Sequence, residues 1–387
     1  MKITRLSTLC GTRLHAREDQ WIADHCRSIK ADISVVVVET DSGIVGVGEA
    51  SVYGNPLQIA DWVEWYASTL VGAELGDYSV VPKPHGTKLD WIASSAHDAA
   101  VAGIDCALWD ARGKVAGLPV SKLLNPRADD AVKVYASGGV KYDWHRNPTD
   151  LIAEVIDYVE QGYNTVKFRL GTTWAWDNVT AEKFIDLYDM VHKEVGDSVG
   201  LAVDGNCRLS RDQARVVAFG MQDRGGLWLE EPLPKDDLEG HVALNHSLEL
   251  PITGGEGKTT AAQFRPWIEA GAFDAVQPDA GLCGISELMR VGELAQRHGV
   301  QLIPHSWHNG LMLMANAHAV AALPNSSMVE ECMVQGPLKW GVIKGGSRVI
   351  DGQLQFGDAP GLGVDIIDDL EERYPYVEGD WRVEVYR

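Results

Sequence analysis

The sequence predicts an α/β protein: a barrel of alternating strands and helices, preceded by a smaller α+β domain. Three observations carry that expectation. Eight short apolar runs follow residue 131, namely VKVYA, NTVKFRL, VGLAVD, GLWLE, PITGGE, DAVQPD, VQLIPH and SMVE, with helix-like stretches between them. Repeated strand–helix units of this kind close into a parallel barrel whose chemistry sits where its strands end. Three consecutive runs end in a carboxylate, at Asp204, Glu230 and Glu256, each 26 residues from the next. The first third of the chain does not follow this rhythm, which marks a separate domain.

Within that first third, ISVVVVETDSGIVGVGEA reads as two strands joined by a hairpin turn at Thr40-Asp41-Ser42-Gly43. Two helical patterns follow, PLQIADWVEWYASTLV and AHDAAVAGIDCALWDARGKVAG. The second places Ala100, Ile104, Ala107 and Leu108 at helical spacing and stops at Gly117-Leu118-Pro119. We therefore expect an α+β domain over residues 1–125, a barrel over 126–345, and a loop-rich segment over 346–387 that returns to the first domain. Barrel helices have readable starts. Asn147-Pro148 reads as an N-cap with proline in the first turn. Ser210 with Gln213, and Thr260 with Gln263, have capping-box spacing.

Bulk properties narrow the function. The chain has 387 residues, 45% hydrophobic and 23% charged, which suits a globular enzyme of more than one domain. A formal charge of −21 argues against nucleic acid or an anionic membrane as partner. Six scattered cysteines without a CxxC pair imply reduced thiols and a cytoplasmic protein. The start, MKITRLSTLC, has no apolar core of a leader, and no apolar run reaches the length of a membrane span.

Three acids converging on a barrel mouth repel one another unless a cation joins them. Oxygen ligands favour a hard ion, and Mg²⁺ is the expected cofactor. Side chains alternate along a strand, so Lys167 and Arg169 in TVKFRLG share a face, while Val166 and Phe168 pack outward. Asp279 ends the sixth run and His305 the seventh. A carboxylate on one imidazole nitrogen would make these a proton-transfer dyad, with His308 a competitor three residues on. Glu330 ends the eighth run, and a protonated Glu330 could donate to a developing oxyanion; Glu331 beside it leaves the choice open. Asn206, two residues past Asp204, is expected to orient a substrate carboxylate, and Glu231 to be a structural neighbour of Glu230. This set fits removal of a proton next to a carboxylate. Such a proton is a very weak acid, and a divalent cation with nearby cations stabilises the enediolate left behind.

The chain resembles the enolase superfamily, and within it the mandelate racemase subgroup. The resemblance spans essentially the whole chain and rests on AGIDCALWDARGKVAGLPVSKLL, TVKFRLG, AVDGN, WLEEPLPKDDLEGH, GGEG, QPDAGLCGISE and IPHS, in that order and spacing. It implies an α+β capping domain over a TIM-type (β/α)₇β barrel. It implies metal ligation by Asp204, Glu230 and Glu256, and a His305–Asp279 dyad. It places specificity residues on two capping-domain segments, His15–Arg27 and Gly48–Asn55, with Trp21, His25 and Tyr53 as candidates. A homo-oligomer is implied by family habit. One departure stands out: where the subgroup carries Lys-x-Lys, this chain has Lys167 and Arg169. Arginine stays protonated and is a poor base. His305 then becomes the principal base, and a two-base racemisation is weakened. The leading expectation is a Mg²⁺-dependent dehydratase of a sugar acid, an aldonate or aldarate. Racemisation, epimerisation or lactone cycloisomerisation through the same intermediate is the alternative, and a non-catalytic binding protein a third.

Overall fold

The computed structural model describes residues 1–51, 55–84 and 95–385. Its N-terminal part is a three-stranded antiparallel sheet with Lys30–Thr40 in the centre, flanked by Ile3–Leu14 and Val45–Ala50. The expected hairpin forms: the Gly43 amide donates to the Thr40 carbonyl, and Gly43 takes φ 80°, a conformation open to glycine. Helices Pro56–Leu70 and Ser95–Ala116 cover the sheet, the first capped by the Asn55 side chain on the Leu57 amide at 3.0 Å. The strand Ile3–Leu14 has no counterpart in the sequence reading. Its residues mix Thr, Arg and Ser with apolar positions, and its pairing shifts register between Ile3 and Arg5, which hides the alternation.

The barrel follows. Its eight strands are Ala131–Gly138, Thr165–Arg169, Gly200–Asp204, Leu229–Glu230, Ile252–Gly254, Ala275–Val276, Gln301–Leu302 and Met328–Cys332. Each pairs in parallel with the next through the seventh, and the eighth pairs in parallel with the first. A single parallel bridge, Leu302 with Ser326, closes the seventh strand on the eighth. Seven helices separate the strands, from Asp150–Glu160 to Gly310–Ala322, and two short ones, Pro337–Trp340 and Leu370–Arg373, follow the eighth. Val166 and Phe168 are fully buried, and the Phe168 ring lies 6.4 Å from Phe184 and 6.0 Å from Tyr188 on the helix Ala181–Val195. Lys167 and Arg169 accordingly point inward.

Both expected capping boxes form, Ser210 with Gln213 and Thr260 with Gln263. The start expected at Asn147-Pro148 does not. The Asp150 amide donates to the Asn147 carbonyl and Leu151 to Pro148, so these residues form a turn, and the helix begins at Asp150 after Thr149. All six cysteines are free thiols. Among the described residues no helix is long and apolar enough to cross a membrane.

After the eighth strand, Gln353–Gln355 adds antiparallel to the start of the first barrel strand. The chain then runs along the capping sheet. The Thr12 amide donates to the Tyr374 carbonyl, and Arg382–Glu384 pairs antiparallel with Cys26–Ser28.

The helix Gly310–Ala322 is buried along its whole length, His318 included. His318 Nδ1 accepts from the Ser121 amide at 3.1 Å, so the ring is held neutral, and burial lowers its pKa from 6.5 to about 4. The unfolded chain takes up this proton below about pH 6.5 and the folded chain only near pH 4. The contribution is therefore complete above pH 6.5 and lost as pH falls, up to about 3 kcal/mol at the limit. We expect unfolding free energy from urea titrations to fall between pH 6.5 and 4, and the slope to become shallower in His318→Gln.

Candidate active site

The strand ends bring the expected residues to one rim. Asp204 and Glu230 are register partners on adjacent strands, and both are buried. Glu256 lies two residues beyond the fifth strand and is partly exposed. Asp204 accepts from the Asn206 amide at 2.8 Å and from Asn206 Nδ2 at 2.7 Å, with Asn206 at φ 45°. Glu230 accepts from Lys167, from Gln277 Nε2 at 2.6 Å and from Trp228 Nε1 at 3.3 Å. Glu256 Oε2 lies 3.5 Å from His305 Nε2.

His305 and Asp279 form the expected pair, with Nδ1 2.7 Å from Oδ2. Asp279 caps the helix Ala280–Arg297, accepting from the Gly281 amide at 2.8 Å. Burial opposes charge on His305, but Glu256, Glu330 and Asp279 together outweigh it and push its pKa up to about 10. His308 does not compete. Its Nε2 lies 2.8 Å from Ser51 Oγ, and burial, aided by the His305 charge, lowers its pKa to about 4.

Lys167 is buried between Glu230 and Glu330, its Nζ 2.9 Å from Glu330. This settles the choice between Glu330 and Glu331 by face. Glu330 looks into the lumen, while Glu331 turns outward to the Tyr163 hydroxyl at 2.5 Å and Lys339 at 2.9 Å. It also corrects the expectation of a protonated Glu330. Burial would raise its pKa, but Lys167, His305 and hydrogen bonds from Ser137 and the Ser306 amide hold it low, at about 2. Glu330 is therefore an acceptor, not a donor. Glu231 ties the rim, accepting from the Gly255 amide at 3.0 Å and from Cys207 Sγ at 2.9 Å.

Arg169 shares Lys167's face but not its partners. Its guanidinium lies 3.8 Å from the Trp307 ring centroid and 5.5 Å from that of Trp21, and it forms no ion pair among the described residues. Trp21 thus reaches the site, flanked by Trp307 and Trp381 with ring centroids 6.0 Å away in each case. His25 does not. It is exposed and pairs with Asp24, which turns through φ 53° and is anchored by Arg208 and Thr173. Tyr53 lies outside the described residues.

Three participants were not anticipated. Gln277 had a signal, since it shares a strand face with Asp279 in DAVQPD. Trp307 follows His305 by two residues and had none. Asn316 sits on a nearly apolar helix; its Nδ2 lies 3.2 Å from both Asp279 Oδ1 and the His305 carbonyl, and its Oδ1 accepts from the Ala280 amide at 2.8 Å.

The rim acids carry more negative charge than the protein itself offsets. Burial, Asp204 and Glu330 raise the Glu230 pKa to about 7 against the pull of Lys167. Burial, Glu231, Asp204 and Glu230 raise that of Glu256 to about 8 against His305. Uncompensated negative charge and a donor set of oxygen alone fit a hard divalent cation. The carboxylates are not gathered into a closed cluster: among the described residues no group of three or more His, Cys, Asp or Glu stands as a ready ligand cage. Each instead takes the nearest protein donor.

Comparison with known proteins agrees with this geometry. Residues 150–370 match the model described as enolase C-terminal domain-like, and residues 17–125 the mandelate racemase / muconate lactonizing enzyme N-terminal domain. The chain belongs to the enolase superfamily, in its mandelate racemase subgroup, and is an enzyme. It is 30% identical to the arabinonate dehydratase of Saccharolobus solfataricus, over 97% of this chain and 99% of that one. It is 28% identical to the D-galactarolactone cycloisomerase of Agrobacterium fabrum, over 86% and 88%. A solved member of the superfamily from Polaromonas sp. JS666 superposes with a TM-score of 0.84 at 29% identity, covering 98% of this chain and 99% of that chain.

Removing Lys167 leaves two buried carboxylates without their cation. We expect Lys167→Met to lose about 3–5 kcal/mol of unfolding free energy in chelator, measured by urea titration.

Proposed function

We propose that this enzyme dehydrates a sugar acid, an aldonate or aldarate, to a 2-keto-3-deoxy acid. The observation that carries the reading is a single histidine base: His305 is locked to Asp279, while the position of a second lysine base is held by Arg169, seated on Trp307. Relatives named as dehydratases of arabinonate and D-galactonate support the substrate class, at 30% and 27% identity.

Asp204, Glu230 and Glu256 would hold Mg²⁺, whose charge stabilises the second negative charge on the substrate and offsets the pull of Glu256 on the His305 proton. His305 Nε2 takes the proton alpha to the carboxylate. Asp279, accepting from Nδ1, fixes the tautomer that leaves Nε2 free. Lys167 and Arg169 lie on the strand face that meets the substrate and offset its negative charge. The electron pair left on the alpha carbon forms the double bond as the β-hydroxyl departs. His305 returns its proton to that hydroxyl, which leaves as water. The enol product then tautomerises to the keto acid. One group can do both transfers when the elimination is syn, which suits Arg169 standing in the place of the second lysine.

Cycloisomerisation of a lactone is the second reading, favoured by the D-galactarolactone cycloisomerase relative. It uses the same alpha-proton transfer without net loss of water.

Aldonates and aldarates are incubated with enzyme and Mg²⁺ and assayed for 2-keto acid. We expect turnover of at least one acid sugar, loss of turnover in chelator, and a fall in kcat of about 10²–10⁴ in His305→Asn. A lactone or ring-opened isomer as sole product would favour the second reading. No turnover of any acid sugar, or an unaffected His305→Asn, would overturn the proposal.

A further inference from the structure

We infer that Glu49, a capping-domain residue outside the barrel, is the positioning residue that holds the His305–Asp279 pair in register. The inference rests on His305 being the proton carrier proposed above.

The strand Val45–Ala50 alternates glycine with larger residues. A Cβ at Gly46 would stand 2.2 Å from the Ala107 carbonyl oxygen, and one at Gly48 2.3 Å from that of Gly103. The strand therefore lies directly on the helix Ser95–Ala116, with no side chain between them. That contact fixes the backbone, and the alternation sends Val47 and Glu49 to the other face. Glu49 is 1% exposed there.

Its carboxylate reaches across to the barrel. Oε1 accepts from Asn309 Nδ2 at 2.7 Å, and Oε2 from the Met312 amide at 3.0 Å. Met312 is the third residue of the helix Gly310–Ala322, whose own N-cap, Asn309, makes no side-chain capping bond. A carboxylate from the capping domain thus fills an orphan donor at the positive end of a barrel helix. One turn further, Asn316 of that helix bonds both Asp279 and the His305 carbonyl. A second route runs in parallel. Ser51 lies 2.8 Å from His308 Nε2, and its amide donates to the Gly281 carbonyl at 2.9 Å, while the Gly281 amide donates to Asp279. Both loops that carry the pair are therefore gripped by two capping-domain residues, Glu49 and Ser51. Neither hydrogen-bonds the pair itself.

A purely cementing role would lower stability and leave the pair unchanged. The test reads the pair directly, in the full-length enzyme without substrate, through the low-field NMR resonance of the proton between His305 Nδ1 and Asp279, assigned by its loss in His305→Asn. We expect Glu49→Ala to shift or broaden that resonance. We expect it to lower kcat ten- to hundredfold, as a small displacement of a proton carrier does, with KM changed by no more than about twofold. Glu49→Gln, which keeps one acceptor oxygen, should recover part of both. A folded Glu49→Ala with the wild-type resonance and wild-type kcat would overturn the inference, as would a kcat loss that follows denaturant sensitivity alone with the resonance unmoved. If no sugar acid is turned over, the proposed reaction fails, and the resonance alone decides the role of Glu49.

Discussion

A buried ammonium between two glutamates organises the lumen of this barrel. Lys167 lies on the second strand, Glu230 on the fourth and Glu330 on the eighth, so one cation ties three strands across the interior. Charges are removed from water at high cost, and the arrangement stands only because each has partners in good geometry. Branched apolar side chains ordinarily fill a barrel of this size. Here the upper layer is given over to charge, and it carries more acid than base. That surplus determines the rest of the rim: which carboxylates are pushed toward protonation, why His305 binds its proton tightly, and why a cation suits Asp204, Glu230 and Glu256.

The two cations on the second strand illustrate how one face can hold opposite kinds of group. Lys167 is held in place by ion pairs with Glu230 and Glu330. Arg169, two residues on, is supported by indole faces instead of acids, which hold a guanidinium in place without cancelling its charge. Its charge remains available to a ligand. The aromatic support comes from three separate places in the chain: Trp21 in the capping domain, Trp307 after the seventh strand and Trp381 in the tail.

Much of this was legible in the sequence, for identifiable reasons. The barrel was visible because eight apolar runs recur with helices between them, and the rim acids because they end those runs. Two-residue alternation was enough to turn Lys167 and Arg169 inward, and capping-box spacing placed two helix starts. What escaped depended on contacts between distant residues. Ile3–Leu14 is a strand because Lys30–Thr40 pairs with it, not because of its own pattern. Pro148 fits a first helical turn, but hydrogen bonds to Asn147 and Pro148 make a separate turn of it. His25 was named by its segment alone, and its pairing with Asp24, which Arg208 and Thr173 hold against the barrel loops, has no sequence signal. The ionisation of Glu330 follows from Lys167 reaching it across the lumen, which strand periodicity does not report. Asn316 and Glu49 act through partners on other elements, and a single polar residue in an apolar helix or strand does not announce its partner.

The pairing of Arg382–Glu384 with Cys26–Ser28 has a consequence for how the chain is made. The barrel and the strand that buttresses it occupy one continuous stretch, from Ala131 to Gln355, that precedes the segment pairing with Cys26–Ser28. The small ribbon built on Cys26–Ser28, separate from the capping sheet, is completed only by Arg382–Glu384, far later in the chain. The domain synthesised first is therefore finished last, and the indole of Trp381 reaches the mouth only then. Without the stretch from Trp381 to Glu384 the barrel strands keep their own partners, but the entrance lacks one wall.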